Sequence, residues 1–144
     1  MPLFQMLQKD HDEVKQLFSQ IEKGGDREKL FSQLKDEVNL HQEVEEKFFY
    51  PALEKSNAEV REKVFESYEE HHVAKTVLKE FDKMSPSDER WKAKLMVLKE
   101  LVEHHIEEEE KELFKMAKKA LDKKQIQEIT DKIEQRKSKA KSKS

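Results

Sequence analysis

Four stretches of the chain carry apolar residues in steps of three and four, and a histidine interrupts each near its middle. Phe4, Leu7, Val14, Phe18 and Ile21 flank His11, and Leu30, Leu34, Val38, Phe48 and Ala52 flank His41. Val64, Tyr68, Ala74, Leu78 and Phe81 flank His71, and Trp91, Leu95, Leu98, Val102, Leu113, Met116 and Ala120 flank His105. The second and fourth stripes also carry a glutamate, Glu45 and Glu109. Steps of three and four put such residues on one face of a helix, where they form the seam that meets a bundle core. Only two glycines and three prolines occur in 144 residues, too few turn formers for a sheet-rich fold. The expected fold class is all-α: an up-down-up-down antiparallel four-helix bundle with a short C-terminal fifth helix.

Breaks in the pattern place the connections. Pro2 suits a first helical turn. The "GGD" at Gly24–Asp26 ends the first helix and caps the second, which runs to about Lys55 with a kink expected at Pro51. The "SNAE" at Ser56–Glu59 reads as a capping box for the third. Ser85 and Pro86 read as the cap and first position of the fourth, which runs to about Ala120. The bundle is assigned to residues 1–121. A short helix capped at Asp122 is expected over 122–135. Residues 136–144, "RKSKAKSKS", form a basic tail expected to be disordered.

Composition narrows the function classes. There is no cysteine, which removes disulfides, thiolate metal sites and cysteine nucleophiles. Any metal must therefore take nitrogen and oxygen ligands. The start lacks a basic region followed by an apolar run, and no stretch approaches a membrane span, so a cytoplasmic protein with no membrane contact is expected. Net charge is −3, which gives no overall pull toward nucleic acid, and none is expected as a partner. The tail holds five positive charges; without it the balance is 24 positive against 32 negative, an acidic body with a basic end. No protein partner can be read from the sequence.

Two phrases repeat. "HQEVEEKFFYP" (His41–Pro51) and "HIEEEEKELFK" (His105–Lys115) lie 64 residues apart, each with a glutamate four residues after the histidine. "DHDEVKQLF" (Asp10–Phe18) shifted by 60 residues falls on "EHHVAKTVL" (Glu70–Leu78), carrying His11 onto His71. Counted from the connections at ~1.5 Å per residue, the four histidines lie within about one turn of a common level. Only the third connection is out of step, by ~6 Å, and it would need an asymmetric loop.

Two glutamates buried in a bundle centre are costly, and no lysine or arginine shares their stripes. A pair of metal cations resolves the conflict, because cations take neutral imidazole nitrogen and carboxylate oxygen together. Histidine and glutamate at i and i+4 lie ~6 Å apart along one helix face, enough to span two metals ~3.5–4 Å apart. The expected metal ligands are His11, His41, Glu45, His71, His105 and Glu109. The histidines serve as terminal ligands and the glutamates as bridges, with an oxo or hydroxo bridge and an open position for an exogenous ligand. Iron suits this donor set, and manganese would also fit. His72 and His104 point ~100° away from their neighbours and are expected at the surface. Tyr68 and Trp91 are expected in the core, and Glu110 is a rival to Glu109 as ligand.

With these residues in hand, the chain resembles the hemerythrin-like family of HHE cation-binding domains over about Leu3–Ala120. The carriers are "KDHDEVKQLF", "HQEVEEKFFYPAL", "EEHHVAKTVL" and "HHIEEEEKELF". The resemblance implies a four-helix bundle around two non-haem iron ions. Oxygen-carrying members look richer in histidine, with a second histidine four residues from the first on the third helix; here the positions four either side of His71 are Ser67 and Lys75. The set of four histidines and two glutamates looks more like the repair-of-iron-centres type. The expected function is binding or turnover of oxygen, nitric oxide or hydrogen peroxide. The alternatives are an iron sensor or store, and a metal-free helical interaction protein.

Overall fold

The computed structural model describes residues 2–142. Helix α1 spans Leu3–Glu22. Helix α2 comprises Arg27–Val44, a wide π turn at Glu45–Phe49 and a last α-helical stretch, Tyr50–Glu54. Helix α3 spans Ala58–Phe81. Helix α4 comprises Trp91–Glu108, a second π turn at Glu109–Leu113, and Phe114–Ala120. Helix α5 spans Lys123–Ser142. The first four form the helical bundle that the stripes require, and α5 packs across α1 and α2.

Both glycines serve the α1–α2 connection. Gly24 has φ of +94°, which L side chains rarely adopt. A Cβ on Gly25 would sit 2.5 Å from Leu30 Cδ1 and 2.9 Å from the Gln20 carbonyl oxygen. Asp26 then caps α2 by accepting from the Lys29 amide. Two other caps differ from expectation. The cap of α3 is Asn57 rather than Ser56, its side chain accepting from the Val60 amide. The fourth helix starts at Trp91, not after Ser85, because Ser85 and Asp88 spend their hydrogen bonds on turns within 82–90. That long connection supplies the asymmetry the third link needed.

The apolar interior is split in two by a polar layer. One half gathers Val14, Phe18, Leu34, Val38, Leu78, Trp91 and Leu98 around the α1–α2 and α3–α4 connections. The other gathers Leu3, Leu7, Phe49, Leu53, Val64, Leu113 and Ala117 at the opposite end. In this second half the expected stripes slip by one residue. Phe48 and Ala52 are only half-buried, while Phe49, Tyr50 and Leu53 are fully buried; likewise Met116 and Ala120 give way to Phe114, Ala117 and Leu121. The cause is the π turn, which inserts one residue into each helix directly at the glutamate. The amide of Tyr50 bonds the carbonyl of Glu45, and that of Phe114 bonds the carbonyl of Glu109, five residues back in each case. Pro51 cannot be the common cause, since α4 makes the same turn with no proline in it.

The expectation of a short helix over 122–135 and a disordered tail over 136–144 needs correction. Helix α5 continues through Ser142; Lys143 and Ser144 lie outside the described residues. Asp122 caps it as expected, exchanging hydrogen bonds with Gln125. Ile129 and Ile133 bury themselves in the second half of the core. The basic residues that suggested disorder find acids on the bundle: Arg136 binds Glu43, with Nη2 to Oε1 at 3.2 Å, and Lys137 donates to Asp10.

Candidate metal centre

His11, His41, Glu45, His71, His105 and Glu109 are all buried, with Glu45 and Glu109 at 0% and 1% exposure. Every residue expected in the site thus reaches the polar layer, one histidine from each of α1 and α3, and one histidine with one glutamate from each of α2 and α4. Their ligand atoms fall into two overlapping groups. His11, His41, Glu45 and Glu109 converge within 4.8 Å of one another, and so do Glu45, His71 and His105. Glu45 belongs to both.

The distances within the groups suit a cation. His11 Nε2 and His41 Nε2 lie 3.1 Å apart, and His71 Nε2 and His105 Nε2 also 3.1 Å. Two nitrogens bound to one ion at ~2.1 Å would show this spacing at an angle of about 95°. Around them Glu45 Oε1 is 3.1 Å from His41 Nε2 and 3.3 Å from His71 Nε2. Glu45 Oε2 and Glu109 Oε1 are buried with no donor in hydrogen-bond geometry, although His11 Nε2 stands 3.3 Å from Glu109 Oε1. Buried carboxylate oxygens without donors are costly. A bridging cation would satisfy both, so this donor set fits a pair of metal ions.

The opposite ring nitrogen of each histidine is also committed. His11 Nδ1 meets Glu110 at 2.7 Å, His41 Nδ1 meets Asp10 at 3.0 Å, His71 Nδ1 meets Glu46 at 3.1 Å, and His105 Nδ1 meets Glu70 at 2.7 Å. A carboxylate at Nδ1 holds the proton there and leaves the Nε2 lone pair facing inward, the arrangement by which outer residues orient metal-binding histidines. Glu110, the sequence's rival ligand, is therefore the partner of a ligand instead. The four carboxylates follow the repeats: Asp10 and Glu70 precede a site histidine, while Glu46 and Glu110 follow a site glutamate. Lys137 of α5 donates to Asp10 and so links the helix surface to His41. His72 is exposed as expected, and His104 is exposed beside Glu108.

Sequence reasoning missed Tyr50. Its side chain is fully buried, and its hydroxyl donates to Glu109 Oε2 at 2.6 Å, with Glu45 Oε1 at 3.2 Å. The same oxygen stands 3.3 Å from both His71 Nε2 and His105 Nε2. Tyr68 only touches the edge of the Tyr50 ring, at 5.3 Å between centroids. The residue equivalent to Tyr50 in the repeat is Phe114, whose ring stacks on His11 at 6.1 Å. The internal symmetry is thus broken at one point: a hydroxyl faces the His71–His105 pair, and a hydrocarbon ring faces His11. Tyr50→Phe should lower the stability of the metal-free protein by about 1 kcal/mol, because Glu109 Oε2 loses its nearest donor, at 2.6 Å, and keeps only His105 Nε2 at 3.3 Å. Urea unfolding of metal-free protein would measure it, and an unchanged midpoint would contradict this role for the hydroxyl.

Without metal the layer is held by protons. Burial alone would lower the His41 and His105 pKa values. For His41 the charge of Glu45 and the hydrogen bond to Asp10 outweigh burial; for His105 the hydrogen bonds to Glu109 and Glu70 do so, and both rise to about 10. Burial pushes Glu109 up, but hydrogen bonding with Glu45, His105 and His11 holds it well below its ordinary value. Folding therefore takes up protons at the two histidines. Their contribution is complete below the ordinary value of 6.5 and drains away as pH rises toward 10. The Glu109 contribution is lost as pH falls below 4.5 and toward its depressed folded value. Metal-free protein should melt at a lower temperature at pH 9.5 than at pH 6.5; calorimetry at both would contradict this if the order were reversed.

Residues 3–117 match the family described as the hemerythrin HHE cation-binding domain. The chain belongs to the hemerythrin family. A crystal structure of a hemerythrin HHE cation-binding domain-containing protein from Mycobacterium kansasii superposes with a TM-score of 0.82 at 20% identity, covering 99% of this chain and 91% of that one. At that identity the likeness speaks for the fold. A curated relative, a DNA nickase of Nostoc sp., is 27% identical over 137 residues. The match takes in 93% of this chain but spans only 38% of the nickase. The hemerythrin fold here is a metal-binding helical domain with its histidines and glutamates gathered in one layer. Among the described residues, no helix is long and apolar enough to cross a membrane.

Proposed function

We propose that this hemerythrin domain holds two iron ions through His11, His41, Glu45, His71, His105 and Glu109, and that it binds or turns over a small diatomic or peroxide ligand. The observation that carries the reading is a cavity of about 30 Å³ lying against all four histidines. Its other walls are largely apolar: Val14, Val38, Ala74, Leu101, Val102 and Ile106. About 10–15 Å³ holds one water, so this space matches a molecule of two heavy atoms.

When bound, the iron pair supplies redox chemistry and open coordination positions. The chain does the rest. The four Nδ1 carboxylates hold each imidazole in the tautomer that presents Nε2 inward. The apolar walls keep bulk water from the ligand face. On the other face of the layer, Tyr50 holds a proton between Glu109 and Glu45. Burial and the two glutamates beside it push the hydroxyl pKa well above its ordinary value. Tyr50 is therefore a hydrogen-bond donor at neutral pH rather than a phenolate.

The test is rapid mixing of reduced, iron-loaded protein with oxygen, nitric oxide or hydrogen peroxide. A change in visible absorption within seconds, with helicity retained, is expected for at least one of them. No response to any of the three, or unfolding on iron loss, would favour a store or sensor of iron instead. The activity of the Nostoc nickase is a property of a protein more than twice as long, and the net charge of −3 gives this chain no overall attraction to nucleic acid.

A further inference from the structure

The metal layer takes four of the six histidines, and the other two, His72 and His104, lie outside it. His104 has company. It meets Glu108, four residues on along α4, and Glu70 of α3, and one ligand atom from each of the three lies within 4.8 Å of the others. His104 Nε2 is 3.1 Å from Glu108 Oε1 and 3.9 Å from Glu70 Oε2. Both spacings are shorter than ~4.2 Å, twice a metal–ligand bond of ~2.1 Å, so one ion can touch the imidazole and a carboxylate with no movement of the helices. The carboxylates are held in place by other groups. Glu70 Oε1 accepts from His105 Nδ1 at 2.7 Å, which leaves Oε2 for His104. Lys63 Nζ lies 3.5 Å from the other oxygen of Glu108, Oε2, and is itself drawn to Glu112 at 2.6 Å. The imidazole is the open side, 64% exposed against 23% and 26% for the two carboxylates. One ring nitrogen can give its single proton to only one of the two oxygens that face it. A cation satisfies all three groups at once.

We propose that Glu70, His104 and Glu108 form a third cation site, on the surface of the bundle, for a divalent transition metal such as zinc. One imidazole nitrogen with two carboxylate oxygens suits a borderline cation, whereas calcium or magnesium would gain nothing from the imidazole. Three protein ligands leave the remaining coordination to water. A site so open exchanges its ion freely, unlike the buried pair, and fills only when the cation is supplied. It stands apart from the small-ligand function and does not depend on it. The surface site and the buried layer share one contact. Glu70 orients His105 through one oxygen and holds the outer ion through the other. An ion on Oε2 draws charge from the carboxylate that makes His105 a good donor, so occupation outside is felt at the inner pair.

The test adds zinc to the full chain loaded with iron, as wild type, His104→Ala, Glu108→Gln and His72→Ala. His72 is an exposed histidine of α3 outside the cluster and serves as the control. Equilibrium dialysis at rising free zinc gives zinc and iron per chain, and visible absorption is recorded at each step. Wild type and His72→Ala should take up one zinc per chain with no loss of iron. His104→Ala and Glu108→Gln should need more than about tenfold higher free zinc, since losing even an outer partner of a metal ligand costs that much. The absorption of the iron pair should shift as zinc binds wild type, and stay fixed in His104→Ala at the same free zinc. The difference of one zinc per chain between wild type and His104→Ala is expected whatever fills the inner layer. Equal zinc affinity in wild type and His104→Ala would overturn the site, and so would an equal loss of affinity in His72→Ala. Zinc that enters only as iron leaves would overturn it too, because that ion occupies the buried layer. Zinc bound at the site with unchanged absorption would overturn the coupling through Glu70 and leave the site standing.

Discussion

Glu45→Ala and Glu109→Ala should each leave the protein with at most one iron ion per chain. Both side chains reach both histidine pairs. Glu45 Oε1 lies 3.1 Å from His41 Nε2 and 3.3 Å from His71 Nε2. Glu109 lies 3.3 Å from His11 Nε2 through Oε1 and 3.3 Å from His105 Nε2 through Oε2. Replacing one terminal histidine should do less damage than either change. The outer carboxylates should behave differently again. Glu46→Ala should keep both ions at saturating iron but weaken their affinity about 10- to 100-fold, because His71 loses the group that orients it. Glu108→Ala, which removes a partner of the exposed His104, should retain both. Metal analysis of the purified variants checks the series. If Glu108→Ala lost its metal while Glu45→Ala kept two ions, the register of α2 and α4 would be wrong.

Ile133→Ala should destabilise the protein by about 2–5 kcal/mol, the usual cost of emptying a fully buried isoleucine position. Its side chain is 0% exposed, and it docks α5 on the half of the core that also holds Leu3, Leu7, Phe49 and Leu53. At roughly 2–4 °C per kcal/mol for a chain of this size, the melting temperature should fall by about 5–15 °C. Lys132→Ala, one residue away on the exposed face, should change stability by less than about 0.5 kcal/mol. If the two variants melted together, α5 would not be packed on the bundle. The same experiment bears on the metal centre, because undocking α5 would withdraw Lys137 from Asp10 and expose the His41 side of the layer.

In α2 and α4 the first half is legible in the sequence and the second half is not, for one reason. Up to Glu45 and Glu109 the stripes keep helical spacing, so spacing and repetition bring all six candidate ligands to the one buried layer in which they lie. Beyond them the π turn adds a residue, and any reading in steps of three and four goes out of phase. That spacing puts Phe48 and Ala52 in the core where Phe49 and Leu53 belong, and leaves Tyr50 off the polar layer. A signal was present. The 64-residue repeat lays Phe48 on Glu112, an improbable pair for a core position, and lays Phe49, Tyr50 and Leu53 on Leu113, Phe114 and Ala117. All six of those are buried.

Helix α5 runs longer than its own sequence suggests, for a different reason. Five basic residues in nine argue for disorder only if no acids await them. Asp10 and Glu43 lie on helices distant in sequence, and the tail alone says nothing of them. The outer carboxylates were invisible for the same cause. Each bonds a histidine on another helix, between 25 and 99 residues away. Spacing along one helix reveals which residues share a face, but not which face of a neighbour they meet.

The most direct measurement is the metal content of wild-type protein expressed with ample iron, purified without chelator and analysed by elemental emission together with visible absorption. Two buried carboxylates shared among four converging imidazoles predict two iron ions per chain and a ligand-to-metal charge-transfer band, both lost together on chelation. Fully folded protein carrying no metal under those conditions would contradict a metal centre in this layer, and a stable single ion would contradict the pairing through Glu45.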